Sequence, residues 1–194
     1  MNKPVPRALG VRGAIAIAIA VVFALSGLTG CGAGQVVEPS SPVTGTTSSN
    51  QQDAVFAAQL VEINEQLVTI TDILTAKTDD PAVTARLDDL SRTANERIVL
   101  AKSWLQLWGR TAVEAPPAPG LLTEQQQDAL IDSSGAALTA AIASATQSQL
   151  QGTLTISQAE VAKGENSSAK EVAQKLEDQS AAELVVLAQV KVAK

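Results

Sequence analysis

The feature that most constrains this chain is an apolar stripe written twice. Phe56, Leu60, Ile63, Leu67, Ile70 and Leu74 recur at alternating spacings of four and three, which is one face of a long helix and not the two-residue period of a strand. Val83, Leu87, Leu90, Ala94, Ile98, Ala101, Leu105 and Trp108 form a second such face, and Asp79-Asp80-Pro81 between them supplies an acidic N-cap and a proline at the first helical position. The pair predicts an antiparallel helical hairpin. A shift of 86 residues without a gap lays Ile70 on Ile156, Lys77 on Lys163, Leu90 on Leu176 and Ile98 on Leu184, with the turn Asp80-Pro81 on Asn166-Ser167. Neither hairpin can bury its stripe alone. The expected fold is therefore all-α, a four-helix bundle made of two tandem helical hairpins.

The boundaries follow from the punctuation. The first hairpin takes 52–110, with its first helix opening at Asp53, and the second takes 123–194, so that 52–194 is one bundle domain. Pro116, Pro117 and Pro119 make 111–122 a linker, because proline cannot continue a helix. Thr123 with Gln126 reads as a capping box for a short helix ending about Asp132; a long helix then covers about 135–163, closed by Gly164. Ser168 with Glu171 is the expected capping box of the last helix. The long helix is thin in large side chains, with Ala136, Ala137, Ala140, Ala141, Ala143 and Ala145 around Leu138 and Ile142; it reads first as a narrow alanine seam that lets helices approach closely, and, since it contributes little burial, as the place to seek any partner surface or mobile part.

Ahead of the bundle, Lys3, Arg7 and Arg12 precede an apolar run from Ala14 to Leu28, which ends in Leu28-Thr29-Gly30-Cys31. That order is the charged, apolar and small-residue order of an export signal, and the run is short for a permanent transmembrane helix. The four residues at its end resemble the lipobox of bacterial lipoproteins. The resemblance implies that 1–30 is a removed signal peptide and that Cys31 becomes the lipidated first residue, giving an extracytoplasmic, lipid-anchored protein of the cell envelope. Residues 31–51, rich in Gly, Ser, Thr and Pro, then read as a flexible tether. Removing 1–30 takes three basic groups and no acid from 14 basic and 20 acidic residues, leaving 11 against 20 and a side-chain charge of −9. Anionic headgroups would repel such a domain, so the covalent lipid must do the anchoring.

Composition excludes whole classes of chemistry. There is no His, no Tyr, one Cys and one Met, the initiator, which removes the usual general base near neutral pH and the imidazole and thioether ligands of common metal sites. The acidic balance argues against nucleic acid. No cofactor beyond the lipid is expected, and the chain does not read as an enzyme.

The bundle region resembles bacterial domain-of-unknown-function family 305, exported four-helix proteins of ferritin-like appearance. The similar frame is Phe56-Ala57, Ile63-Asn64-Glu65-Gln66, Ile70 and Trp104-Leu105-Gln106-Leu107-Trp108-Gly109 in the first half. In the second half it is Gln149-Leu150-Gln151-Gly152, Ile156, Gly164, Asn166, Gln179, Glu183-Leu184 and Leu187. The His-His pairs thought to give the family its metal affinity fall here on Ile63-Asn64 and Gln149-Leu150, and its methionines on Ile70, Ala101, Ile156 and Leu187. Aliphatic side chains offer no lone pair to a metal. The resemblance thus implies the scaffold with a degenerate metal site filled by apolar residues. The function expected is a non-catalytic binding or interaction module with an envelope protein as candidate partner; the alternative is copper-related metal handling through carboxylates or ligands shared between copies.

Three further groups stand out. Glu62, Glu65, Thr69 and Asp72 share a helix face and read as an outward, solvated surface. Gln149 occupies a stripe position and should either find a hydroxyl such as Ser180 or mark a thinly packed, wet spot. Trp104 and Trp108 are expected to pack beneath the proline linker.

Overall fold

The computed structural model describes residues 48–192. The expected signal peptide, the Leu28-Thr29-Gly30-Cys31 motif and the tether up to residue 47 lie outside the described residues. Five helices follow in order: α1 Gln51–Thr75, α2 Pro81–Leu107, α3 Glu124–Asp132, α4 Gly135–Lys163 and α5 Ser167–Val192. Pro81 and Ser167, the first residues of α2 and α5, are 86 positions apart, so the sequence repeat is a backbone repeat. Burial repeats with it: Ile70 and Ile156, Val83 and Ala169, Leu87 and Ala173, and Ala101 and Leu187 are all buried. Among the described residues no helix is long and apolar enough to cross a membrane.

Helix α1 lies against α2, α4 against α5, and α1 against α4, while the short α3 packs on α4 and α1. No comparable packing joins α2 to α5. The bundle is therefore closed on the α1/α4 side and open between the two outer helices. Its core divides accordingly into two clusters. One gathers Phe56, Leu60, Ile63, Trp104, Ile156 and Leu176; the other gathers Ile70, Leu74, Leu87, Leu130, Leu138 and Ile142. Burying side chains of this size contributes about 1.5–3 kcal/mol each, which is what holds the hairpins together.

The helix ends show where local sequence decides. Helix α1 starts two residues ahead of the expected Asp53, because Asn50 and Asp53 form a capping box: Asp53 N donates to Asn50 Oδ1 at 3.1 Å and Asn50 N to Asp53 Oδ2 at 2.5 Å. Asp80 caps α2, accepting from Ala82 N at 2.9 Å, with Pro81 in the first turn, and Thr123 with Gln126 caps α3. The start of α5 differs from expectation. Asn166, not Ser168, is the cap, its Oδ1 accepting from Ala169 N at 3.1 Å. Glu171, its expected partner in the box, pairs instead with Lys175 at 2.8 Å. The repeat explains the difference, since Asn166 stands where Asp80 stands in the first half.

One flank of α1 does not face solvent as its polarity suggests. Gln59 Nε2 donates to Pro116 O at 3.1 Å, Glu62 Oε2 accepts from Ala118 N at 2.8 Å, and Gln66 exchanges two bonds with the Leu122 backbone, at 3.1 and 2.6 Å. Backbone that cannot form a helix must still satisfy its polar groups, and these three side chains do this for the linker. Glu65, Thr69 and Asp72 are exposed, and Glu65 pairs with Lys102 at 2.8 Å. Trp104 and Trp108 stack with ring centroids 5.9 Å apart and share a cluster with Ala118 and Leu121 of the linker, as the sequence suggests.

The linker presses closely on α4. A Cβ on Gly152 would stand 2.0 Å from Pro119 O, and one on Gly120 would stand 2.2 Å from Ser148 O. Both obstacles are backbone, which cannot rotate aside. Gly152→Ala is expected to lower stability by about 1–3 kcal/mol, the usual cost of overpacking. A urea midpoint unchanged from the parent would show that the linker does not sit on α4 in this way.

Candidate functional site

Where α2 and α5 fail to meet, a cleft of about 650 Å³ opens into the bundle. Its walls are largely aliphatic, from Leu60, Ile63, Leu67 and Ile70 of α1, Leu87 and Leu90 of α2, Ile142 and Leu150 of α4 and Leu176 of α5. Five of the expected degenerate positions line it: Ile63, Asn64, Ile70, Gln149 and Leu150. The other three, Ala101, Ile156 and Leu187, are buried outside its lining. Ile63 and Ile70 are buried as well.

Two amides sit among these aliphatic walls. Asn64 and Gln149 are buried, one from each helix of the central α1/α4 pair. Asn64 Nδ2 donates to Leu60 O at 2.7 Å, and Gln149 Nε2 donates to Gln66 Oε1 at 2.6 Å. These donations orient both amides, and the opposite atoms, Asn64 Oδ1 and Gln149 Oε1, have no hydrogen-bond partner and are closed to solvent. The partner expected for Gln149 was Ser180. Ser180 is buried and lines the same cleft, but Gln66, across the α1/α4 seam, takes the bond. A buried acceptor without a donor costs about 1–3 kcal/mol.

At the rim stand Arg97 of α2 and Glu183 of α5, both half-buried. Burial holds the Arg97 guanidinium below its usual pKa against the opposing pull of Glu183 and Glu96; burial raises Glu183 against the pull of Arg97. The two feel one another, yet no ion pair joins them, whereas Arg92, Lys102 and Lys175 all reach partners.

A separate polar cluster ties the ends of three helices together, and sequence reasoning missed it. Asp53 is fully buried and, besides its place in the α1 capping box, accepts from Asn166 N at 2.9 Å and Glu165 N at 3.1 Å in the α4/α5 turn. Beside it lies Glu160, also fully buried, both of whose oxygens lack a donor. Burial first, then the hydrogen bond with Asp53 and its charge, push Glu160 up to about 8, while Lys170 pulls the other way. Burial also acts to raise Asp53, but hydrogen bonds from Glu160, Asn50, Asn166 and Glu165 outweigh it and hold that group below its ordinary value. Glu160 is thus the protonated partner, with its O–H directed to Asp53. Gly164 makes room for it, since a Cβ there would lie 2.3 Å from Glu160 Oε1.

The donors around the cleft do not suit a metal ion. The five positions on the cleft offer no sulfur or imidazole for copper or zinc, and the three carboxylates on its lining, Asp89, Asp178 and Glu183, do not come together as calcium, with its six to eight oxygens, would need. Among the described residues no three His, Cys, Asp or Glu come together as a ligand set.

Comparison of the sequence with family models finds no match, and neither does comparison with curated proteins. Comparison of folds does find likenesses. A candidate secreted DUF305 protein from Streptomyces coelicolor superposes with a TM-score of 0.64 at 20% identity, over 72% of this chain and 91% of that one. A DUF305 fragment from Deinococcus radiodurans gives 0.61 at 13% identity, over 73% and 96%. At these identities it is architecture that is shared, and the chain has a DUF305-like helical fold.

Proposed function

We propose that this chain is an exported lipoprotein, held at the outer face of the cell membrane by acyl lipid on Cys31, and that its bundle binds a small molecule in the cleft without transforming it. The anchor rests on the sequence from Lys3 to Cys31. Binding is carried by one observation. Five of the eight positions where the resembling family would place its metal ligands line an aliphatic cleft of about 650 Å³, and two of the five, Asn64 and Gln149, carry amide oxygens without donors beneath its surface. That volume falls within the roughly 300–1,000 Å³ of ordinary small-molecule sites. A guest with an apolar body removes the cleft walls from water, and its N–H or O–H groups, once they part the side chains over Asn64 and Gln149, supply the missing donors. Catalysis has little to work with there: the chain has no His, and of the three acids lining the cleft Asp89 is held by Arg92 and Asp178 by Gln174, which leaves Glu183 without a second free acid to work with.

Both halves are open to test. Labelled palmitate should enter the parent protein and not Cys31→Ala, which should leave the membrane fraction. The full chain carrying Cys31→Ala should take up a polarity-sensitive dye, and Thr93→Trp, which fills the cleft from α2, should lose most of that uptake with an unchanged urea midpoint. Equal uptake by both would remove the cleft as the site.

A further inference from the structure

The 86-residue repeat relates Arg97 to Glu183: the two stand at the same position of the two halves, on the two helices that do not pack together. Equivalent positions of the two halves thus line one cleft, and here they carry opposite charges. Their neighbours in the repeat are also reversed in charge, Asp89 against Lys175 and Arg92 against Asp178. Those neighbours are solvated and have partners of their own: Asp89 and Arg92 pair with one another, Lys175 with Glu171, and Asp178 with Gln174. Arg97 and Glu183 differ in being half-buried and joined to no ion-pair partner. Two desolvated charges held apart in this way remain short of their bonding capacity, and neither water nor each other supplies it fully.

We propose that the cleft takes an amphiphile with a zwitterionic head, its anionic group on the Arg97 guanidinium, its ammonium on the Glu183 carboxylate, and its apolar chain along the aliphatic walls. The assignment rests on the cleft being the binding site. The guanidinium presents a planar fork suited to phosphate or carboxylate, and Glu183 accepts from an ammonium. A head carrying one charge alone would satisfy one rim group and leave the other facing it unpaired. The cleft volume accommodates one single-chain amphiphile, and the leucine and isoleucine walls match a hydrocarbon chain. Arg86 on α2 and Asp178 on α5 also line the cleft, so its mouth holds both signs and favours no simple ion.

The test is dye displacement from the full chain carrying Cys31→Ala, with three probes of one chain length below their micellar concentrations: myristoyl lysophosphatidylethanolamine, myristate and tetradecylamine. The zwitterion should displace the dye at a concentration about tenfold below either singly charged probe, one ion pair being worth roughly that factor in a partly desolvated site. Arg97→Gln and Glu183→Gln should each abolish the advantage. The exchange of Arg97→Glu with Glu183→Arg should restore it, which a merely structural role would not do. Equal displacement by all three probes, or an advantage untouched by the single variants, would overturn the head assignment while leaving the cleft as a site for chains. If the dye binds and no amphiphile displaces it, the assignment also falls. Failure of the dye itself to bind would instead overturn the cleft reading on which it rests.

Discussion

Asp53→Ala should be the most damaging single truncation in the bundle, lowering stability by on the order of 4 kcal/mol. Three backbone N–H groups lose their acceptor at once: Asn50 at the start of α1, and Glu165 and Asn166 in the turn into α5. Hydrogen bonds to a charged acceptor contribute about 1.5–3 kcal/mol, and a buried donor left without one costs a similar amount. The loss is shared by both hairpins, because Asp53 belongs to the first and two of its three donors to the second. For a domain whose whole stability is about 5–15 kcal/mol, the change should shift the urea midpoint by a large fraction of its value. Asp53→Asn keeps one carbonyl oxygen and should recover part of the loss. A drop under about 1 kcal/mol for the alanine variant would mean that the two turns are held together by apolar packing alone.

Much of this architecture is legible in the sequence, and the parts that are not share a physical reason. The helices can be read because apolar periodicity, proline and capping residues act within a few positions of one another. The 86-residue repeat adds which helices correspond, and so extends a local signal to the whole bundle. The cap at Asn166 could have been read from the same repeat, since it falls on Asp80. Glu160 too carried a signal: it occupies the stripe position of Leu74, and an acid on an apolar stripe marks either an exposed edge or a buried proton. Which of the two holds depends on Asp53, far away in the chain, and on the space left by Gly164. The bonding of Gln59, Glu62 and Gln66 to the linker was hidden because backbone partners leave no trace in side-chain identity. The resemblance singled out five positions that line the cleft, but not the cleft itself. It exists because α2 and α5 stand apart, and a gap between helices is written in no single residue.

Glu160→Gln should flatten the pH dependence of stability that Glu160 imposes, and the sign follows from its raised folded value. In the unfolded chain the group titrates near 4.5, and in the bundle at about 8. Below the lower value it is protonated in both states and costs nothing. Between the two, the unfolded chain releases its proton and the bundle retains it, so the unfolded state binds fewer protons and stability falls as pH rises. Above about 8 the bundle must hold an ionised carboxylate against ionised Asp53 in a site closed to water, and the penalty is complete. Asp53 acts in the other direction: with a lowered folded value, its contribution is present above its ordinary value of 3.8 and is lost as the solution becomes more acidic. The pair by itself therefore favours a mildly acidic optimum. Glutamine offers Asp53 an N–H donor as the protonated acid offers its O–H, and it does not titrate. Urea midpoints at intervals from pH 5 to pH 9 should show parent and variant close together at the acidic end. They should then diverge to roughly 3 kcal/mol in favour of Glu160→Gln at the alkaline end, since each tenfold difference in proton affinity between folded and unfolded chain is worth about 1.4 kcal/mol and relaxation of the site takes back part of it. Parallel curves across the range would show that Glu160 is ionised throughout and that water or Lys170 reaches it, removing the shared proton from the junction of α1, α4 and α5.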